Sequence, residues 1–253
     1  MPVTYDFRKL SREDELAMRK YWAVMSSMQN IKFGDSEFVM PQFPPVPVPP
    51  GVSKEAVTIN DVKGVRVFSK REARDGIIMY IHGGGYVWGS AEDGTIILFE
   101  AKKRFNIDSF SVDYTLAPKK QFPTQLNECL AFYKGLLAMG YKKIALLGES
   151  AGGNMCLTLT LKLKEDKIPL PAAVVCISGL IDYTFAGGIE INDFLAGGIG
   201  FMAEQYAGKQ DLKNPLISPT YGDYNGFPPL LMQTGTLVPK QLIRIRYQKN
   251  TIL

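Results

Sequence analysis

Histidine is all but missing from this sequence: 253 residues carry one, His82. No cluster of His, Cys and Asp has metal-ligand spacing, so no metal is implied. Cysteine is scarce as well. Cys129, Cys156 and Cys176 are odd in number, form no CxxC pair and sit in apolar contexts, which points to buried free thiols and a reducing compartment. No stretch of about 18 uncharged apolar residues exists, so no membrane span is expected. The first residues, MPVTYDFRKLSREDEL, lack the apolar segment of a secretion signal, and a cytoplasmic location is the default expectation. Acid is absent from residues 237–253, where Lys240, Arg244, Arg246 and Lys249 account for the whole formal charge of +4. Residues 1–236 are balanced, and without a basic stripe through the body nucleic-acid binding has no support.

What is present suits a globular domain. Apolar residues make up 46% and charged residues 21%, enough for one large domain or a domain with a small cap. Helical spacing of Leu16, Met18, Trp22, Met25 and Met28 predicts a helix over 12–29, with Ser11 and Asp14 at its start. PQFPPVPVPPG at 41–51 is an extended connector, because proline lacks the N–H and restricts its predecessor. Strands are expected at 55–60, 64–69, 77–81, 107–112, 142–148, 172–178 and 229–235. Helices are expected at 92–105, 124–139 and 151–165. Alternating helices and near-continuous apolar strands predict an α/β fold, a mostly parallel sheet covered by helices on both faces. About fifty Gly- and aromatic-rich residues separate the strands at 172–178 and 229–235, too many for a plain connection. A helix near 193–206, standing above the sheet as a lid, accounts for them. The expected division is therefore 1–50 cap helix and connector, 51–182 and 215–236 core, 183–214 cap insertion, and 237–253 an atypical basic tail.

Two motifs carry chemistry. GESAGG, Gly148 to Gly153, follows the apolar strand KKIALL and opens the helix NMCLTLTLKL. A G-x-S-x-G segment between strand and helix lifts its serine above the sheet, which makes Ser150 the candidate nucleophile. HGGG, His82 to Gly85, directly follows the strand IIMYI. Its glycines can turn backbone N–H groups toward one point, so Gly84 and Gly85, with Ala151 at the helix start, are the candidate oxyanion donors. A Gly-rich packing turn or a phosphate loop is the alternative. No GK[ST] occurs, nor a G-x-G-x-x-G followed by a suitable acid. His82 ends a strand at the base of the loop, where orienting that loop suits it better than acting as base. Tyr86, Trp88, Phe194, Phe201 and Tyr206 are candidates for an apolar substrate pocket and equally for the core of a cap.

These residues resemble the hormone-sensitive-lipase-like branch of the α/β hydrolases, which includes carboxylesterases and arylacetamide deacetylases. HGGGYVWGS is similar to the branch's oxyanion loop and GESAGG to its nucleophile elbow. DYTLAPKKQFP at 113–123 is similar to its DYRLAPE-x-x-FP segment, with Thr115 in place of Arg and Lys119 in place of Glu. PLISP at 215–219 resembles the segment before the seventh strand. The resemblance implies an α/β-hydrolase fold with a helical cap and hydrolysis of short acyl esters without a cofactor.

It also implies a serine–acid–histidine order, with the acid just after the seventh strand and the histidine further on. QTGTLVPKQL puts Leu237 where the acid belongs, and neither Asp, Glu nor His follows. No triad acid and no triad histidine are therefore expected in these residues, and the eighth strand and terminal helix are expected to be missing. Glu149 is expected to point away from the nucleophile and Asp182 to order the cap. A change at Thr236–Leu237 through truncation or frameshift is the expected cause, a divergent end the alternative. An uncovered seventh strand would favour oligomerisation or aggregation. Three functions remain open: a carboxylesterase, a pocket that binds an acyl ester without turnover, and an inactive gene product.

Overall fold

A computed structural model describes residues 46–71, 75–184 and 193–234, with side chains of the last segment from residue 200 onward. The helix expected at 12–29 and the basic tail at 237–253 lie outside the described residues. Among the described residues seven strands form one sheet: β1 (Ser53–Ile59), β2 (Val62–Phe68), β3 (Ile77–Ile81), β4 (Asp108–Val112), β5 (Ile144–Glu149), β6 (Ala173–Ile177) and β7 (Leu230–Gln233). The described α-helices are α1 (Thr95–Phe105), α2 (Thr124–Ala138), α3 (Ala151–Glu165) and α4 (Asp193–Ala207). Strand order is β1-β2-β4-β3-β5-β6-β7. β1, β2 and β4 pair antiparallel, and every pair from β4 across to β7 is parallel. None of the described helices is long and apolar enough to cross a membrane.

The apolar runs explain the layers. Along β3 and β5 alternate side chains point to opposite faces. Met79, Ile81, Ile144 and Leu146 join the core beneath α2 and α3, whereas Tyr80 packs with Leu98 and Phe99 of α1 on the other face. Helix α3 buries twelve of its fifteen residues, among them Met155, Leu157, Leu159 and Leu163. Each such leucine contributes about 2 kcal/mol through burial. Lys102, in the last turn of α1, reaches Asp108 at the start of β4 with Nζ 2.7 Å from Oδ1. That buried charge pair fixes where the helix hands the chain to the strand. On the α1 face the residues of β5 and β6 are half-buried, and Leu231 of β7 is 42% exposed.

The sheet order creates a site by topology. From β3 the chain moves to β4 on one side, then returns through α2 to β5 on the other. The connections leave the carboxyl ends of β3 and β5 in opposite directions, which opens a crevice between them. In the β3–β5 register Ile81 pairs with Gly148, so HGGG and GESAGG leave the sheet side by side.

Candidate active site

The strand-to-helix turn is built on a strained serine. Ser150 has φ 52° and ψ −120°, positive φ for a side-chain-bearing residue. Such a conformation costs on the order of 1–3 kcal/mol and persists only where its surroundings enforce it. Here they do: Ser150 N–H donates to Ile177 O at 2.9 Å, and its carbonyl accepts the Asn154 N–H at 3.0 Å. Ser150 itself is exposed. The helix that follows must sit hard against β3. A side chain at Gly152 would overlap Ile81 O and lie 2.6 Å from His82 O, so only glycine permits the approach. Buried Ala151 opens α3, whose first-turn N–H groups have no intrahelical acceptors.

The neighbouring loop is fixed one peptide at a time. A trans peptide points its carbonyl and its N–H in opposite directions, so tying one aims the other. His82 O accepts the Tyr114 hydroxyl at 2.9 Å, and on the opposite side of that peptide Gly83 N–H meets Glu149 Oε1 at 3.2 Å. Gly83 O accepts His82 Nδ1 at 2.8 Å and the Tyr114 hydroxyl at 3.3 Å, which turns the Gly84 N–H away from them. Gly84 O accepts the N–H groups of Val87 and Trp88, both at 3.1 Å, which turns the Gly85 N–H away in its turn. Gly84, Gly85 and Tyr86 all have positive φ. Among the described residues neither Gly84 N–H nor Gly85 N–H has an acceptor.

His82 is bound into this loop. It is 1% exposed, and its ring stacks on Tyr114 with centroids 4.1 Å apart and 5° between planes. Because Gly83 O can only accept, Nδ1 carries the proton. Burial lowers the His82 pKa, so the ring is neutral, and Nε2 is buried without a partner among the described residues. No hydrogen bond joins it to Ser150.

A second anchor is Asn154, fully buried in the first turn of α3. Its Oδ1 accepts the Tyr86 hydroxyl at 2.7 Å, and its Nδ2 donates to Leu180 O at 2.6 Å and Ile217 O at 3.0 Å. One side chain thus ties the glycine loop, the elbow helix and the segments flanking β6 and β7. Helix α4 meets the same loop. Tyr206 stacks on Tyr86 with centroids 3.7 Å apart, and Met202, one turn earlier, occupies the space where a side chain at Gly85 would project.

A sequence profile described as the alpha/beta hydrolase fold matches residues 78–249. The chain belongs to this family. It is 31% identical over 198 residues to an acetyl-hydrolase of Streptomyces hygroscopicus, covering 75% of this chain and 64% of that protein. It is 28% identical over 199 residues to an esterase of Acinetobacter venetianus, covering 75% of this chain and 65% of that protein. The crystal structure of a hormone-sensitive lipase from a metagenome library superposes with a TM-score of 0.73 at 31% identity, covering 86% of this chain and 78% of that one. These neighbours place this α/β hydrolase in the hormone-sensitive-lipase-like branch. The chain spans just under two thirds of the length of these acetyl-hydrolase and esterase relatives.

In this α/β hydrolase the two motifs meet at the switch point. Ser150, Ala151, His82, Gly84 and Gly85 lie on the paired carboxyl ends of β3 and β5 and the turns they enter. Tyr86 and Tyr206 are completely buried against each other, and Trp88 and Phe201 are half-buried. The Phe194 side chain lies outside the described residues. Asp182 accepts the Thr184 N–H and hydroxyl through Oδ1, at 2.8 and 2.6 Å. Tyr114 and Asn154 were not singled out by sequence reasoning. The resemblance of DYTLAPKKQFP contained Tyr114 as a motif member, but its two acceptors lie 31 and 32 residues away. Thr115, where the resembled segment has Arg, receives a different partner: Glu128 accepts both its N–H, at 2.6 Å, and its hydroxyl, at 2.8 Å.

Proposed function

We propose that this chain is the nucleophile-bearing part of a serine ester hydrolase acting on short-chain acyl esters. Ser150 Oγ attacks the ester carbonyl, the alkoxide leaves, and the acyl group rests on Ser150 until water releases it. The oxyanion forms among the N–H groups of Gly84, Gly85 and Ala151. The observation that carries this reading is the loop's peptide geometry: the carbonyls of Gly83 and Gly84 are tied to one side, and the N–H groups of Gly84 and Gly85 on the other have no acceptor among the described residues, beside an exposed and strained serine. The acetyl-hydrolase and esterase names of its relatives point to the same substrate class.

Proton transfer is the step these residues do not supply. His82, the single histidine, has Nδ1 bound to Gly83 O, and no hydrogen bond links it to Ser150. That observation favours a second reading, in which the pocket holds an ester or small acid with little turnover. With donors and binding alone, acceleration over water is on the order of 10³–10⁴-fold, far below a complete triad. Incubating the 253-residue chain with p-nitrophenyl acetate, beside the Ser150→Ala variant, separates the readings. Release of p-nitrophenol well above the variant supports a serine hydrolase. Identical rates together with no labelling of Ser150 by a fluorophosphonate would eliminate it.

A further inference from the structure

Glu149 is the acid of the elbow that none of the steps above employs. It ends β5 beside the turn of HGGG, because Ile81 pairs with Gly148 in the preceding rung. Its Oε1 accepts the Gly83 N–H, and the fit is close: a side chain on Gly83 would lie 2.8 Å from that oxygen and 3.0 Å from Glu149 O. Tyr80, on β3, also feels the carboxylate; its phenol is pushed far up, first by burial and then by the charge of Glu149.

We propose that Glu149 is a positioning residue for the oxyanion donors, an inference that rests on the serine-hydrolase reading of the same site. The loop has three successive N–H groups able to turn toward an anion, those of Gly83, Gly84 and Gly85. Glu149 removes the first. It thereby fixes the His82–Gly83 peptide from the N–H side, as Tyr114 fixes it from the carbonyl side. With that peptide held at both ends, Gly83 O stays within reach of His82 Nδ1 and the Tyr114 hydroxyl, and Gly84 N–H keeps its direction. What the position requires is an acceptor of this length, not a negative charge, which next to a forming oxyanion is a repulsive element. Glutamine should therefore serve, and alanine should not.

The test uses the intact chain in wild-type, Glu149→Gln, Glu149→Ala and Ser150→Ala forms. Two quantities are read: amide hydrogen exchange at Gly83, Gly84 and Gly85, and the affinity for phenylboronic acid, whose tetrahedral adduct on serine mimics the oxyanion. Losing a hydrogen bond to a charged group should cost Glu149→Ala about 10- to 100-fold in boronate affinity. Its Gly83 amide should exchange faster, and Glu149→Gln should match or exceed the wild type in affinity. Equal Gly83 exchange in wild type and Glu149→Ala overturns the inference, as does faster exchange with unchanged boronate affinity. Failure of Glu149→Gln to restore binding overturns it too, because charge and not acceptor geometry would then matter. Equal boronate affinity in wild type and Ser150→Ala would instead sink the serine reading itself, and the positioning role with it.

Discussion

Replacing Tyr114 by Phe isolates one hydroxyl. The phenyl ring keeps the stack on His82 at 4.1 Å, and the site is 3% exposed, so neither shape nor burial changes. What goes is the donor 2.9 Å from His82 O and 3.3 Å from Gly83 O. Gly83 O retains His82 Nδ1 at 2.8 Å, whereas His82 O loses its hydroxyl partner inside the protein. Stranding one buried acceptor costs about 1–3 kcal/mol. With a urea slope of about 2 kcal/mol/M, the unfolding midpoint should fall by about 0.5–1.5 M. The same change frees the peptide behind Gly84 N–H, so phenylboronic acid should bind Ser150 about tenfold more weakly. An unchanged midpoint would refute the hydrogen-bond accounting. A lower midpoint with unchanged boronate affinity would refute the claim that tying the carbonyls aims the amides, and would leave Tyr114 a packing residue.

Gly152→Ala should be still more damaging, because the new methyl overlaps Ile81 O; about 3 kcal/mol of overpacking is expected, read as loss of soluble protein or a lowered melting temperature. A soluble variant that melts with the wild type would refute the close approach of α3 to β3. Asn154→Leu strands the Tyr86 hydroxyl and the carbonyls of Leu180 and Ile217, and should lower the melting temperature by about 10 °C; a drop under about 2 °C would show that the hub carries little. His82 has its pKa lowered by burial, so the unfolded chain binds its proton more readily than the folded one. Its contribution is complete above the ordinary value of about 6.5 and is lost as pH falls from there toward the folded pKa. His82→Asn, whose amide N–H can still reach Gly83 O, should flatten that slope in urea midpoints measured between about pH 7.5 and about pH 5; an undiminished slope would place the titrating group elsewhere.

Much of this molecule is legible in its residues taken in order. The apolar run IIMYI becomes the buried strand β3 and AVVCI the strand β6, half-buried on one face, because near-continuous apolar runs suit a parallel sheet with helices packed on it. GESAGG between a strand and a helix forms a turn with a positive-φ serine, because the backbone must reverse within one residue. The long Gly-rich gap yields the helix Asp193–Ala207, within a residue of its expected end. Those features depend on neighbours in the chain, and local sequence determines them.

The rest needed the tertiary structure, because it depends on groups brought together from far along the chain. Tyr114, Glu149 and Asn154 hold the loop and elbow through hydrogen bonds between residues 26 to 68 positions apart. Nothing in their local sequence states which acceptor they will find. Tyr86 and Tyr206, open in the sequence between pocket wall and core, are stacked and fully buried. Residue types alone determined that Ser150 stands on an elbow and that glycines follow β3. Only the placement of β3 between β4 and β5 decided that the two meet, and only the tied carbonyls decided which of the loop's amides are left without an acceptor among the described residues.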